Sequence, residues 1–357
     1  MVWLVDSLLK GGWPPPSRVR AAMHVWDALN RWEIEHVTLP MQRLSWCNLP
    51  AKALGASVSG EALLPLFACL YWCLDQHKCF AGIWLVPLSE IANGCVKWLT
   101  LRGRPAWVDP RVRLHSWSSE FSFPSSHSQL SAAVMTWLVL ASHHSEAATT
   151  TPAFPSAIYA ILVAASRVHE GLHFPSDVMS GSFAGFISAA VYARILFPLL
   201  PSFDGWPSIS RLCALTVPGG MAALAMNAAY AVADRSRNRD PPVWQRNACK
   251  GKYAGRGLDP RGIPYGNYMG MLGVLTGLAV GGALKHFFPL PYPSSLRTSF
   301  LRVLIGNAGL LALFEGIATI TPREPLAVYA ALRFLKYWLV PVYILLLAPP
   351  LFLRLGI

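Results

Sequence analysis

The chain has 357 residues, 54% of them hydrophobic and only 13% charged, with 30 Lys/Arg against 18 Asp/Glu for a net charge of +12. Soluble domains carry about 25% charged residues, and the apolar residues here gather in runs long enough for a bilayer, about 20 residues per helix, which excludes a soluble protein with an oversized core. The positive excess sits in loops between apolar runs, beside Trp and Tyr, which points to membrane-facing charge or an anionic substrate and away from nucleic acid.

Residues 1–60 are mixed in charge and amphipathic, and RVRAAMHVWDALNRW within them reads as a helix along the membrane surface. The opening MVWLVDSLLKGGWPPPS holds an apolar stretch too short for a signal peptide. The apolar runs that follow predict an all-α polytopic bundle of about nine transmembrane helices, at roughly 62–76, 80–101, 127–143, 154–167, 177–200, 209–233, 266–286, 298–320 and 326–353. No repeat or low-complexity linker divides them, so residues 61–357 read as one membrane domain behind a polar arm at 1–60. Two loops are polar: 102–126, and 234–265 with eight Arg/Lys against three Asp. Counting crossings places both on the side of the N-terminus. Of seven cysteines, only Cys47 and Cys249 lie in polar surroundings and none pairs with histidines at metal-ligand spacing. They read as reduced, with a loop disulfide as the lesser alternative.

Three separated pieces carry chemistry. In KWLTLRGRP, Lys97 and Arg104 are seven residues apart, about two helical turns, so both cations project from one face. That suits two contacts on a phosphate; alternatively Lys97 snorkels and Arg104 is a positive flank. In FPSSHS, Pro124 breaks the preceding chain, Ser125 or Ser126 caps, and His127 opens a helix whose free N–H groups favour an anion. In SRVHEGLHFPSDV, Ser166 and Arg167 end one span while His173 and Asp177 open the next. As an i, i+4 pair the carboxylate reaches the imidazole N–H and leaves the other ring nitrogen free to attack. Ionisable groups at membrane depth are expensive, which favours function over an idle cluster. Topology brings all three pieces to one side.

Together, Lys-x6-Arg-Pro, Pro-Ser-x-His and Ser-Arg-x5-His-x3-Asp, over residues 97–177, resemble the signature of the type 2 phosphatidic acid phosphatase (PAP2) superfamily. One position departs: Ser126 stands where the family commonly has glycine. The resemblance implies a PAP2 core over about 61–205 followed by additional C-terminal spans over 206–357. It implies that His173 is the nucleophile and forms a phosphohistidine, that Asp177 orients it, and that His127 protonates the leaving alcohol and later activates water. Lys97, Arg104 and Arg167 would clamp the phosphate oxygens, helped by Ser125 and the Ser126 backbone. Three fixed cations suit phosphoryl transfer without a metal or other cofactor. The implied partners are a lipid phosphate and membrane lipids, with no nucleic acid.

SSEFSFPSSHS is most similar to the sphingosine-1-phosphate phosphatase branch, and LRVLIGNAGLL and LKYWLVPVYILLLAPPLF resemble its last spans. A sphingoid (long-chain-base) 1-phosphate is therefore the favoured substrate and sphingolipid metabolism the setting. A polyprenyl diphosphate phosphatase and a glucose-6-phosphatase-like sugar phosphatase are the alternatives, the latter disfavoured by Asp177. A transporter or scaffold is the non-enzyme alternative. Other residues carry weaker expectations. His169 and Glu170 read as exposed loop, with substrate contact as the lesser alternative; Glu90 either pairs with Lys97 or packs among polar neighbours; His143 and His144 lie on the opposite side; the 234–265 loop reads as a solvated face near anionic headgroups, with a substrate role at the site mouth as the lesser alternative. The positive-inside rule makes the site's side cytoplasmic, whereas the favoured branch implies an endoplasmic reticulum enzyme with its site facing the lumen.

Overall fold

The computed structural model describes residues 26–142, 153–199, 206–237 and 240–357. Within them the protein is 79% helical, with no strand. A helical stretch α1 (26–42), loosened into a π turn at Ile34–Thr38, is followed by α2 (Asn48–Ser57), α3 (Gly60–Cys73) and α4 (Gln76–Thr100). A one-turn α5 (Pro105–Val108) precedes α6 (Ser126–Ser142), α7 (Ala153–His169), α8 (Pro175–Val191) and α9 (Ser208–Asp234). A short α10 (Pro242–Ala248), then α11 (Gly262–Leu284), α12 (Leu296–Thr319), α13 (Leu326–Val342) and α14 (Ala348–Arg354) complete the chain.

Each of the nine predicted runs contains a helix. Among the described residues six segments are long and apolar enough to cross a membrane: Gln76–Val108, Pro175–Ile195, Ser208–Asp234, Gly262–Phe287, Leu296–Thr319 and Leu326–Arg354. The other three runs hold α3, α6 and α7, of 14, 17 and 17 residues within the described part of the chain. The bent pair Ser45–Ser57 and Ala62–Cys73, turning by 52°, makes a seventh if counted as one span.

Burial separates the spans into centre and rim. The most apolar window of the Gly262–Phe287 span is 67% buried and that of Gln76–Val108 61%, against 22% for Ser208–Asp234 and 17% for Leu296–Thr319. The rim helices turn side chains such as Leu224 and Leu311 outward, as lipid contact requires. Helices α6 and α8, which carry two of the three chemical pieces, pack backbone to backbone. A Cβ on Gly181 would lie 2.4 Å from the Ser125 carbonyl oxygen, and one on Gly185 would lie 2.1 Å from that of Gln129. Small residues permit such approach between membrane helices, and here they bring Asp177 beside the start of α6.

The arm is not free. Asn30, Glu33 and Gln42 of α1 are buried, and Gln42 donates to the Arg113 and His169 carbonyls at 2.7 and 2.9 Å. The rest of the predicted surface helix, and His143 and His144, lie outside the described residues. The two polar loops meet as the crossing count expects: Asn247, Lys250 and Lys252 donate to the carbonyls of Trp107, Pro110 and His115. All seven cysteines are free thiols.

Candidate active site

Helix α4 stops at Thr100 because Leu101 adopts a left-handed conformation, φ 52°, while its N–H still bonds to the Lys97 carbonyl. Lys97 and Arg104 therefore do not share one helix face, as their spacing suggests; a turn separates them. Lys97 is buried, and its Nζ lies 2.6 Å from Glu120 Oε2 and 3.5 Å from Ser126 Oγ. Arg104 is the N-cap residue of α5. Its Nε donates to the Glu120 carbonyl at 2.6 Å and its Nη1 to the Leu172 carbonyl at 3.0 Å. The same Nη1 lies 3.2 Å from His173 Nε2. Burial alone would raise the Glu120 carboxyl, but the Lys97 ammonium, aided by Arg104, holds it below its ordinary range.

At the start of α6, Ser125 is fully buried and accepts from the Ser128 N–H and hydroxyl, at 3.4 and 3.0 Å. Its own N–H is taken by the Asp177 carbonyl at 3.0 Å. Ser125 is thus a cap that ties α6 to α8, and His127 follows within the first turn.

At the end of α7, Arg167 Nη1 pairs with Glu170 Oε2 at 2.7 Å. The guanidinium passes directly over Gly55 of α2, where a Cβ would lie 1.8 Å from Nη1. His169 and Glu170, expected to be exposed, are buried at 2% and 1%. His169 bridges the Met41 carbonyl and Asn48 Oδ1, and Glu170 accepts from Ser116 at 2.6 Å. The correction has a physical reason: the arm folds over this turn, which no local pattern announces. Gly171, at φ 71°, reverses the chain, and a Cβ there would meet the Arg113 carbonyl oxygen at 2.4 Å.

His173 precedes α8 instead of lying on it, yet it still faces Asp177 of the first turn. Its Nδ1 lies 3.6 Å from Asp177 Oδ2, beyond hydrogen-bond length. A guanidinium only donates, so the Arg104 contact places the ring's lone pair on Nε2 and its proton on Nδ1, facing Asp177. Burial, and then the charges of Arg104, Lys97 and Arg167, hold the His173 imidazole well below its ordinary value, hence neutral.

Asp177 has stronger partners than His173. Its Oδ1 accepts from Arg102 Nη1 at 2.5 Å, and its Oδ2 from Ser122 Oγ at 2.5 Å and the Phe174 N–H at 2.8 Å. Arg102 also donates to Asn30 Oδ1, at 3.1 and 2.7 Å, to Glu33 Oε2 at 2.8 Å and to Ser176 at 2.8 Å. Its guanidinium stacks on Trp26 and Phe174, 4.2 and 4.0 Å from the ring centroids. Glu33 returns to the Ser176 N–H at 2.6 Å.

A cavity of about 460 Å³ adjoins these groups. Arg104, Glu120, Ser126, His127, Arg167, Glu170 and His173 form its polar end; Leu63, Phe67, Ile83, Val86, Pro87, Leu130 and Met271 form apolar wall. Of the residues singled out by sequence, Arg104, Ser126, His127, Arg167 and His173 line the cavity. Lys97 sits behind Glu120, while Ser125 and Asp177 sit behind the wall. Sequence reasoning missed Arg102, Glu120, Ser122 and the arm's Asn30 and Glu33. Arg102 and Glu120 fall inside the quoted pieces, but their partners come from distant segments. Glu90 lines the cavity and forms no ion pair with Lys97, whose partner is Glu120.

Residues 80–200 match the PAP2 superfamily and residues 269–357 match the PAP2 superfamily phosphatase, transmembrane extension. The chain is a PAP2 superfamily protein, an all-helical integral membrane protein with that domain and extension. It is 49% identical over 59 residues to a lipid A 1-phosphatase of Rhizobium etli, a stretch that covers 15% of this chain and 25% of that protein. No solved structure matches the chain.

Proposed function

We propose that this PAP2 protein is a metal-independent phosphoric monoester hydrolase that cleaves a lipid phosphate in the membrane through a phosphohistidine at His173, with a sphingoid-base 1-phosphate as substrate. One observation carries the reading: an imidazole whose Nε2 lies 3.2 Å from a buried arginine, in a cavity lined by both charged and apolar side chains. A phosphate monoester at that end meets Arg104 and Arg167 directly, and Lys97 exchanges Glu120 for a phosphate oxygen. Positive charge around the equatorial oxygens is the main catalytic requirement of phosphoryl transfer.

His173 Nε2 donates its lone pair to phosphorus and the bond from phosphorus to the ester oxygen breaks. His127, charged by a proton taken up together with the phosphate dianion, delivers it to that oxygen, releasing the alcohol. His127, now neutral, takes a proton from water, whose oxygen attacks phosphorus and expels His173 as free imidazole. Asp177, fixed by Arg102, Ser122 and the Phe174 N–H, faces Nδ1 and stabilises the positive charge the ring gains on phosphorylation.

Phosphate release by the purified protein in detergent tests the reading. His173→Ala lowers it by about 10³-fold or more, as loss of a nucleophile does; release unaffected by the change overturns the assignment. Sphingoid-base phosphate, phosphatidate, a polyprenyl diphosphate and glucose 6-phosphate, compared by kcat/KM, rank the substrates, with the first expected to lead. The proposal includes a setting in the endoplasmic reticulum and sphingolipid metabolism, with the site facing the lumen, for which the branch resemblance is the support. Protection of a tag in the 234–265 loop from protease in sealed microsomes is the expected result, and digestion reverses the orientation.

A further inference from the structure

Helix α4 presents one stripe to the cavity, and its composition changes along the stripe. Ile83, Val86 and Pro87 come first, then Glu90, while Lys97 lies two turns beyond, about 10 Å along the axis. A lipid phosphate with its head at Arg104 and Lys97 and its tail on the apolar residues places beside Glu90 the atoms just past the ester oxygen. Glu90 is near enough to Lys97 and Glu120 to feel their charges. Among the described residues, however, it forms no ion pair or hydrogen bond, since Lys97 is held by Glu120 at 2.6 Å. A carboxylate enclosed by membrane helices without a counter-charge is costly, and a cationic ligand group offsets that cost.

We infer that Glu90 is a specificity-determining residue that recognises a protonated amine lying between the phosphate ester and the hydrocarbon tail of the substrate. The inference rests on the phosphatase reading above and deepens it. A lipid with an ammonium one carbon from the phosphate-bearing carbon fits the order of the stripe: anion at the cations, cation at Glu90, chain on the apolar wall. Glycerol-based phosphates offer only hydroxyl or ester groups at that level and leave the carboxylate unpaired.

The test uses the purified full-length protein in detergent with two substrates of equal chain length, sphinganine 1-phosphate and octadecyl phosphate. The wild-type protein prefers the amine-bearing substrate in kcat/KM. Glu90→Gln lowers that preference by tenfold to about a hundredfold, the range for loss of a charge-assisted hydrogen bond, and Glu90→Asp retains part of it. Competitive inhibition by the free base sphinganine, absent with octadecanol, weakens in the same variant. Equal losses on both substrates, or an unchanged preference, overturn the role of Glu90 while leaving the phosphatase reading intact. No hydrolysis of either substrate by the wild-type protein overturns the sphingoid-base 1-phosphate reading proposed above and this inference with it. If Glu90→Gln does not fold, the wild-type preference and the sphinganine inhibition decide on their own: absence of both overturns the inference.

Discussion

Arg102 and Arg104 stand two residues apart in LRGRP and are almost equally buried, at 3% and 2% exposure, yet they belong to two different regions of the molecule. Arg102 points into a closed network. Two carboxylates, Glu33 and Asp177, hold it at 2.8 and 2.5 Å, Asn30 and Ser176 take further N–H groups, and two aromatic rings cover it. Arg104 points at the cavity, is held by main-chain carbonyls and the His173 ring, and forms no ion pair among the described residues. The difference teaches how burial of like groups serves different ends. A buried cation whose charge is already neutralised is architecture, whereas one kept in place by neutral acceptors retains its charge for an incoming anion.

The largest effect expected from this contrast is on the closed side. Arg102→Ala strands Glu33 and Asp177 without their cation, so thermal unfolding in detergent should show a loss of about 3–5 kcal/mol, and Arg102→Lys should restore little because a point ammonium cannot reproduce the fork. An unchanged unfolding midpoint would break the distinction at once. On the open side, Arg104→Ala should leave the unfolding midpoint close to wild type while kcat/KM for a lipid phosphate falls by about 10²–10³-fold, as for loss of one transition-state donor. If Arg104→Ala unfolds the protein as readily as Arg102→Ala, the two arginines are both structural. The smallest effect sharpens the comparison at a third cation. Gly55→Ala puts a methyl 1.8 Å from Arg167 Nη1, so the guanidinium must shift from the cavity wall. KM should rise by about tenfold with a smaller change in kcat, on the principle that modest misplacement of a binding group weakens rate and affinity without abolishing them.

Much of the site was legible because its three pieces are short and their residue types are costly in a membrane. Arg104, His127, Arg167 and His173 do meet at one cavity. The local geometry was less legible. Spacing alone put Lys97 and Arg104 on one helix face and His173 with Asp177 on another, but the left-handed turn at Leu101 and the late start of α8 at Pro175 interrupt both. The distant partners were not legible. Glu120 on Lys97 and Arg102 on Asp177 are contacts that arise once helices and loops are packed, whereas Glu170 on Arg167 is a local i, i+3 pair. His169 and Glu170 looked exposed because the arm that buries them lies more than 120 residues away in sequence.

Sequence by itself determined that the chain is helical and membrane-embedded, since hydrocarbon admits only segments that satisfy their own backbone hydrogen bonds, and it supplied the phosphate chemistry in three identifiable pieces. Tertiary structure alone decided which of those charges face the cavity and which are spent on each other. Charge pairing acts over a few ångströms in space, and the residues that neutralise Arg102 and Lys97 reach them only after α1, α8 and the loop before α6 have packed.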